Sequence, residues 1–213
     1  MSSEISSSTV RRLSTYYRVL RELEGERAEV TSSRLLAERS GVTPAQVRKD
    51  LSCFGTFGKR GLGYDIPLLM REIRSILGLD RRWRVGLVGA GNIGSALFSY
   101  DPFRQQGFDV VAIFDSDPGK VGRIWGEVPI HAIEAFAEVA RRVPMDIVVL
   151  AVPGGAAQEV ADRVVAAGLK AILNFAPRQL FVPVGVTLRN VDMAIELETL
   201  SFALKAEPDG SAH

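Results

Sequence analysis

The chain has 213 residues, enough for one large domain or two small ones, and its 46% hydrophobic and 24% charged content is that of a globular protein. Its longest apolar runs, such as 147–152, are too short to span a bilayer, the polar first residues lack a signal-peptide core, and a single cysteine, Cys53, excludes an internal disulfide framework. The net charge of +1 conceals a split: residues 1–84 hold 16 Lys and Arg against 10 Asp and Glu, whereas 85–213 hold 10 against 15. A basic half joined to an acidic half points to nucleic-acid contact on one side only, in a cytoplasmic protein without membrane or metal partners.

The first 80 residues read as a helical DNA-binding domain. Val10, Leu13, Tyr17 and Leu20 recur at three-and-four spacing, which predicts an amphipathic helix over 9–24 that Gly25 stops. A second helix follows in "TSSRLLAERSG", capped by Thr31 or Ser32, burying Leu35 and Leu36 and ending at Gly41. Thr43 caps a third, with Pro44 in its first turn and Gln46 completing a capping box. Two short helices separated by "SGV" have the spacing of a helix-turn-helix.

On that third helix Val47, Leu51 and Phe54 face inward, while Ala45, Lys49 and Ser52 face outward with Arg48 and Asp50 on the flanks. A small residue, cations and a hydroxyl suit a major groove. Asp50 repels phosphate, so it either pairs with a neighbouring cation or accepts from a cytosine amino group. Next, Phe57, Leu62, Tyr64 and Ile66 predict two short strands around "GKRG", a wing with Lys59 and Arg60 at its tip. An arginine there can enter a narrow minor groove. "IPLLMREIRSILGL" predicts a further helix, and "DRRW" a linker.

The remainder reads as a Rossmann domain. "WRVGLVGAGNIGSALFSY" is a strand, a glycine turn and a helix, in which Gly89, Gly91 and Gly94 fill G-x-G-x-x-G. The first glycine permits the turn, the second lets backbone approach a pyrophosphate, and the third lets helix pack on strand; the helix start offers N–H groups to the phosphates. The next strand ends at Asp115, where a carboxylate accepts from the adenosine ribose hydroxyls and repels a 2′-phosphate, favouring NAD over NADP; Asp117 strengthens that choice. Strands at "MDIVVLAV", "KAILNF" and "GVTLRNV" alternate with helices, so the fold class is α/β, a doubly wound parallel sheet. "VPGG" (152–155) and "NFAP" (174–177) fall at strand ends, where such sheets bind ligands. The last helix, 192–205, carries Met193, Leu197, Leu200 and Leu204 on one stripe, which either covers its own sheet or docks on a second subunit.

Beyond the dinucleotide fold little chain is left for a substrate domain. His131, in "VPIHAIE", borders a loop and is no general acid; no metal-ligand spacing appears, and no catalytic residue is assigned. The cofactor is therefore sensed and not consumed. Two alternatives stay open: a small NAD-dependent reductase with a helical dimerisation domain, and a CoA-binding module.

The ordered set "QVRKDLS", "GKRGLGY", "GAGNIG", "FDSDP-KVG", "VP---AQ", "NFAP" and "NVDMA" resembles the Rex family of redox-sensing transcriptional repressors, from about residue 8 to 205. The resemblance implies a winged-helix DNA-binding domain (1–80), a Rossmann NAD(H)-binding domain (81–190) and a domain-swapped C-terminal dimerisation helix and tail (191–213). It implies a homodimer on an inverted-repeat operator in double-stranded DNA, released by NADH and left bound by NAD+. Arg48 and Lys49 would contact DNA from the recognition helix, beside Ala45 and Ser52, and Lys59 and Arg60 from the wing. Gly89, Ala90, Gly91, Asn92, Ile93, Gly94 and Asp115 would bind the adenosine and pyrophosphate. Ala151, Val152, Pro153, Asn174, Phe175 and Ala176 would lie toward the nicotinamide, with Tyr100, and Met193 would reach the nicotinamide of the partner subunit. Arg18, Tyr100 and Asp192 would couple cofactor to domain orientation.

Overall fold

The computed structural model describes residues 5–55, 57, 58 and 62–206. The chain folds as two compact units, Met1–Arg81 and Arg82–His213.

In the first unit α1 runs Ser7–Gly25, started by the Ser6 hydroxyl, which accepts from the Thr9 N–H at 3.2 Å. Its inward stripe is Leu13, Tyr16, Leu20 and Leu23; Leu13 and Leu20 are buried as expected, but Val10 is exposed and Tyr17 only partly buried. The spacing of three, four and three follows the face toward the other helices, from which Val10 is rotated away. A short strand β1 (Val30–Thr31) leads into α2 (Ser33–Ser40), and Ser32 is the cap, accepting from Leu35 N–H at 3.1 Å while Thr31 is buried in the strand. Leu36 is buried with Ala37, and Leu35 only packs at the margin. Gly41, at φ 66°, ends α2 in the left-handed conformation that glycine adopts without strain.

Helix α3 spans Pro44–Ser52, with the Thr43 hydroxyl accepting from Gln46 N–H at 3.1 Å. Only half of the capping box forms, because the Gln46 amide donates to Asp50 at 2.7 Å and does not return to Thr43. Strand β2 (Tyr64–Asp65) pairs antiparallel with β1, not with the segment around Phe57, and Ile66 opens α4 (Ile66–Ile76). The wing is thus anchored on a strand more than thirty residues upstream. A Cβ at Gly58 would lie 2.6 Å from the Gly63 carbonyl oxygen, so the two ends of the wing touch. Its expected tip, Lys59 and Arg60, lies outside the described residues.

The second unit runs β3 (Trp83–Val88), α5 (Asn92–Phe98), α6 (Asp101–Gln105), β4 (Phe108–Asp115), β5 (Ile124–Trp125), β6 (Val128–Ala132), α7 (Phe136–Arg142), β7 (Ile147–Leu150), α8 (Gly154–Ala166), β8 (Ala171–Asn174), β9 (Thr187–Asn190) and α9 (Met193–Ala206). The sheet order is β5-β6-β4-β3-β7-β8-β9, parallel throughout except for the β5–β6 pair. After β6 the chain returns to the other side of β3, so β3 and β7 flank the switch point where open sheets leave a crevice. One face, with Phe114, Val148, Leu150 and Ile172, packs under Phe136 and Val139 of α7 and Ala157, Ala161 and Val164 of α8. Each buried Val, Leu, Ile or Phe side chain contributes about 1.5–3 kcal/mol.

Two expectations change here. His131 lies in β6 rather than beside a loop, its ring 5.7 Å from that of Phe114, and burial first, then the Arg142 charge, lowers its pKa. The α9 stripe does not cover its own sheet: Met193, Leu197, Leu200 and Leu204 are all exposed, with Leu204 at 72%, as are Ile195 and Phe202 off that stripe.

Candidate functional site

The glycine loop between β3 and α5 shows three different constraints. Gly89 sits at φ 102°, and a Cβ there would strike the Ala151 carbonyl at the end of β7. A Cβ on Gly94 would strike the Gly89 carbonyl, which is how closely helix meets turn. Gly91 is different: among the described residues nothing lies within 4 Å of where its Cβ would be. Two glycines close the turn, and the third keeps one side of the backbone clear.

That clear side opens on a cleft of about 780 Å³ at the carboxyl ends of the strands. Gly89, Gly91, Asn92 and Ile93 form one wall, and Asp115, Asp117 and Lys120 line the turn after β4. Ala151, Val152, Pro153 and Phe175 give the far end an apolar lining, while Ile133, Ala156 and Val160 do the same nearer α8. An apolar lining interrupted by charged groups, after β4 and at Glu159 and Arg163 on α8, suits a dinucleotide, and the volume falls within the usual range for ligand clefts. Helix α5 has only seven residues and Gly91 at its N-cap makes no side-chain cap, so the bare glycine backbone forms this wall of the cleft.

Asp115 is the most constrained group in the cleft. It is 8% exposed; Oδ2 accepts from Ala90 N–H at 2.7 Å and from Lys120 Nζ at 3.1 Å, and Oδ1 accepts from Asp117 N–H at 2.8 Å. Burial alone would raise its pKa, but these donors hold the carboxyl below its ordinary value, so it is ionised at neutral pH. Ala90 therefore serves through its N–H, behind the cleft surface.

Other expected cofactor residues are not on the cleft wall. Asn174 is buried, donating to Ala176 O, Arg178 O and Asn190 Oδ1 and accepting from Ala176 N–H, so it shapes the turn after β8. Ala176 is buried beside it. Tyr100 is exposed, edge-on to Phe103 at 5.0 Å, and Met193 stands exposed at the start of α9. Asp192 caps that start, accepting from Ala194 N–H at 2.9 Å, and Arg18 is exposed on α1 in the other unit. Lys120 and the Glu159–Arg163 ion pair on α8 join the cleft without having been singled out in the sequence. For Lys120 the signal was present, five residues beyond Asp115 in the same motif.

In the first unit Ala45, Arg48, Lys49 and Ser52 are all exposed on one side of α3. Arg48 Nη1 donates to Ser33 Oγ of α2 at 2.9 Å, joining the two helices of the helix-turn-helix. Asp50 is not on the flank: it is 2% exposed and paired with Arg12 of α1, which removes it from any base. The outer face is therefore cationic without an acidic interruption.

A helix-turn-helix unit and a dinucleotide-type sheet on one short chain define a transcription regulator with a built-in nucleotide cleft. Residues 4–52 match the family "Putative DNA-binding protein N-terminus", and residues 80–178 match the CoA binding domain family. The Redox-sensing transcriptional repressor Rex of Desulfitobacterium hafniense is 47% identical over 199 residues, covering 93% of this chain and 95% of its own. The crystal structure of RSP, a Rex-family repressor, in complex with β-NAD+ and operator DNA is 40% identical with a TM-score of 0.91, covering 96% of this chain and 94% of that one. RSP in complex with β-NADH is 38% identical, with a TM-score of 0.88 and 96% of both chains covered. The chain belongs to the Rex family of redox-sensing transcriptional repressors. It is a repressor and not an enzyme, which removes the reductase alternative, and the full-length likeness removes the free-standing CoA module.

Proposed function

We propose that this chain, as a cytoplasmic homodimer, holds an inverted-repeat operator and lets go when NADH fills its cleft. What carries the reading is that RSP, about 40% identical over 96% of this chain, was crystallised with β-NAD+ and operator DNA and separately with β-NADH. The outer face of α3 supplies the DNA side: Lys49 and Arg48 neutralise phosphates, and Ala45 and Ser52 leave room at base edges, with Lys59 and Arg60 as the wing contacts.

The cleft residues divide the cofactor between them. The Gly89–Gly94 loop lies against the pyrophosphate, and Asp115 accepts from the ribose. Ala151, Val152, Pro153 and Phe175 receive the nicotinamide. An apolar lining takes up the neutral reduced ring more readily than the cationic oxidised one, because an unpaired cation loses its hydration there. The two redox forms differ only by one hydride and by that charge.

Preference for NADH becomes a signal only if free and operator-bound dimers differ in NADH affinity. Arg18, Tyr100 and Asp192 are the polar groups we assign to that coupling. The dimer itself rests on α9, whose exposed stripe of Met193, Leu197, Leu200 and Leu204 is suited to a second copy. The functional parts are then 1–80 for DNA, 81–190 for cofactor and 191–213 for dimerisation. Fluorescence titration of NADH into free and operator-bound protein tests the coupling. A much weaker affinity in the operator complex is expected, and equal affinities would end the account.

A further inference from the structure

Asp115 and Lys120 form a donor–acceptor pair at the cleft mouth. An ionised carboxylate offers about four acceptor positions. Three are occupied within the chain, by Ala90 N–H, Asp117 N–H and Lys120 Nζ. About one remains, which is too few for two vicinal hydroxyls to donate to Asp115 together. The ammonium has the opposite surplus: it carries three donors, one of them on Asp115, and stands 4.0 Å from Asp117 Oδ2. Lys120 is one-third exposed and its side chain lines the same cleft, so its remaining donors meet whatever the carboxylate meets.

We propose that Lys120 is the second ribose-reading residue of this cleft and sets its discrimination against phosphorylated dinucleotides. It rests on the dinucleotide reading above. Asp115 accepts one hydroxyl proton while Lys120 donates to the oxygen of the other, so the pair reads an unmodified cis-diol. The two carboxylates of Asp115 and Asp117 hold the ammonium down and leave the turn net negative, which excludes a 2′-phosphate by like charge. Exclusion therefore depends on the carboxylate, and not on any lack of a cation. Removing the Asp115 charge frees an ammonium within reach of the place a 2′-phosphate would take.

The test measures binding of NADH and NADPH to full-length protein by the fluorescence of the reduced ring. Lys120→Met should weaken NADH binding about tenfold, the scale of one charge-assisted hydrogen bond, and Lys120→Arg should restore most of it. Asp115→Ala should raise NADPH affinity relative to NADH by about tenfold or more, and adding Lys120→Met should abolish that gain. Lys120→Met leaves the buried carboxylate in place, so it reports even if Asp115→Ala does not fold. Unchanged NADH affinity in Lys120→Met overturns the assignment, as does an NADPH gain in Asp115→Ala that survives loss of Lys120. Wild-type protein that binds neither dinucleotide overturns the dinucleotide reading itself, and this assignment with it.

Discussion

Arg12 of α1 grips Asp50 of the recognition helix with two parallel bonds, Nε to Oδ2 at 2.6 Å and Nη2 to Oδ1 at 2.7 Å. The Tyr16 hydroxyl donates to Oδ2 at 2.8 Å and the Gln46 amide to Oδ1 at 2.7 Å, so a carboxylate that is 2% exposed accepts four charge-assisted hydrogen bonds. The carboxylate fixes α3 against α1 and engages neither Lys49 nor Arg48, both of which are exposed on the other side of the helix. Breaking the pair from one side leaves a buried charge short of its cation. Arg12→Ala should cost about 3 kcal/mol in the unfolding free energy measured by urea denaturation. An unchanged midpoint would show that Tyr16 and Gln46 suffice.

The same carboxylate gives a pH dependence. Burial would raise the Asp50 pKa, but Arg12, Tyr16 and Gln46 hold it below its ordinary value. A depressed folded pKa stabilises above the unfolded value of about 3.9 and is lost as pH falls through the folded one. Hydrogen exchange of the α3 amides should therefore accelerate in acid below about pH 4, with intrinsic exchange corrected for. In Asp50→Asn the acid dependence should shrink and protection should be lower at neutral pH. An acid response identical to wild type would place the titration elsewhere.

Gly91 and Gly94 should behave oppositely. A Gly91 side chain points into open space, so Gly91→Val should keep the thermal midpoint and operator binding while NADH release is lost. Gly94→Ala sets a Cβ against the Gly89 carbonyl and should lower the midpoint itself. A Gly91→Val protein that still responds to NADH would remove the glycine cradle from the account.

On the DNA side, Lys49→Ala should weaken operator binding across all sequences. The slope of log affinity against log salt should fall by about 0.9 if one phosphate contact is lost. A loss of affinity with the salt slope unchanged would mean that Lys49 acts on a base edge or on helix position.

Helix α9 offers a test of assembly. Leu200 is exposed in the middle of its apolar stripe, so Leu200→Asp should leave the sheet folded and convert a dimeric mass in light scattering to a monomeric one. Retention of the dimer would move the interface off this helix.

What could be read in advance was local. Thr43, Pro44 and Gly41 mark helix ends through their own backbone chemistry, and Gly89, Gly91 and Gly94 fall at fixed spacing after a strand, so both units were visible without coordinates. The missed features depend on distant partners. Asp50 looked like a surface acid because Arg12 lies 38 positions away. The strand at Tyr64 was paired with its neighbour in sequence, whereas its partner is Val30–Thr31. Strands β5 and β6 are hard to read because β5 has only two residues and Pro129, which has no N–H to give a ladder, argues against a strand at β6, although Val128, Ile130 and Ala132 alternate; β6 places His131 in the sheet. For Asn174 the motif named the right place, but only the hydrogen bonds show an amide turned inward.

The most direct measurement is fluorescence anisotropy of a labelled inverted-repeat operator duplex bound by the purified protein, with NADH and NAD+ added separately. Release by NADH at concentrations where NAD+ leaves the complex intact is the predicted result. A complex indifferent to both nucleotides, or one that NAD+ disrupts as readily as NADH, would contradict it.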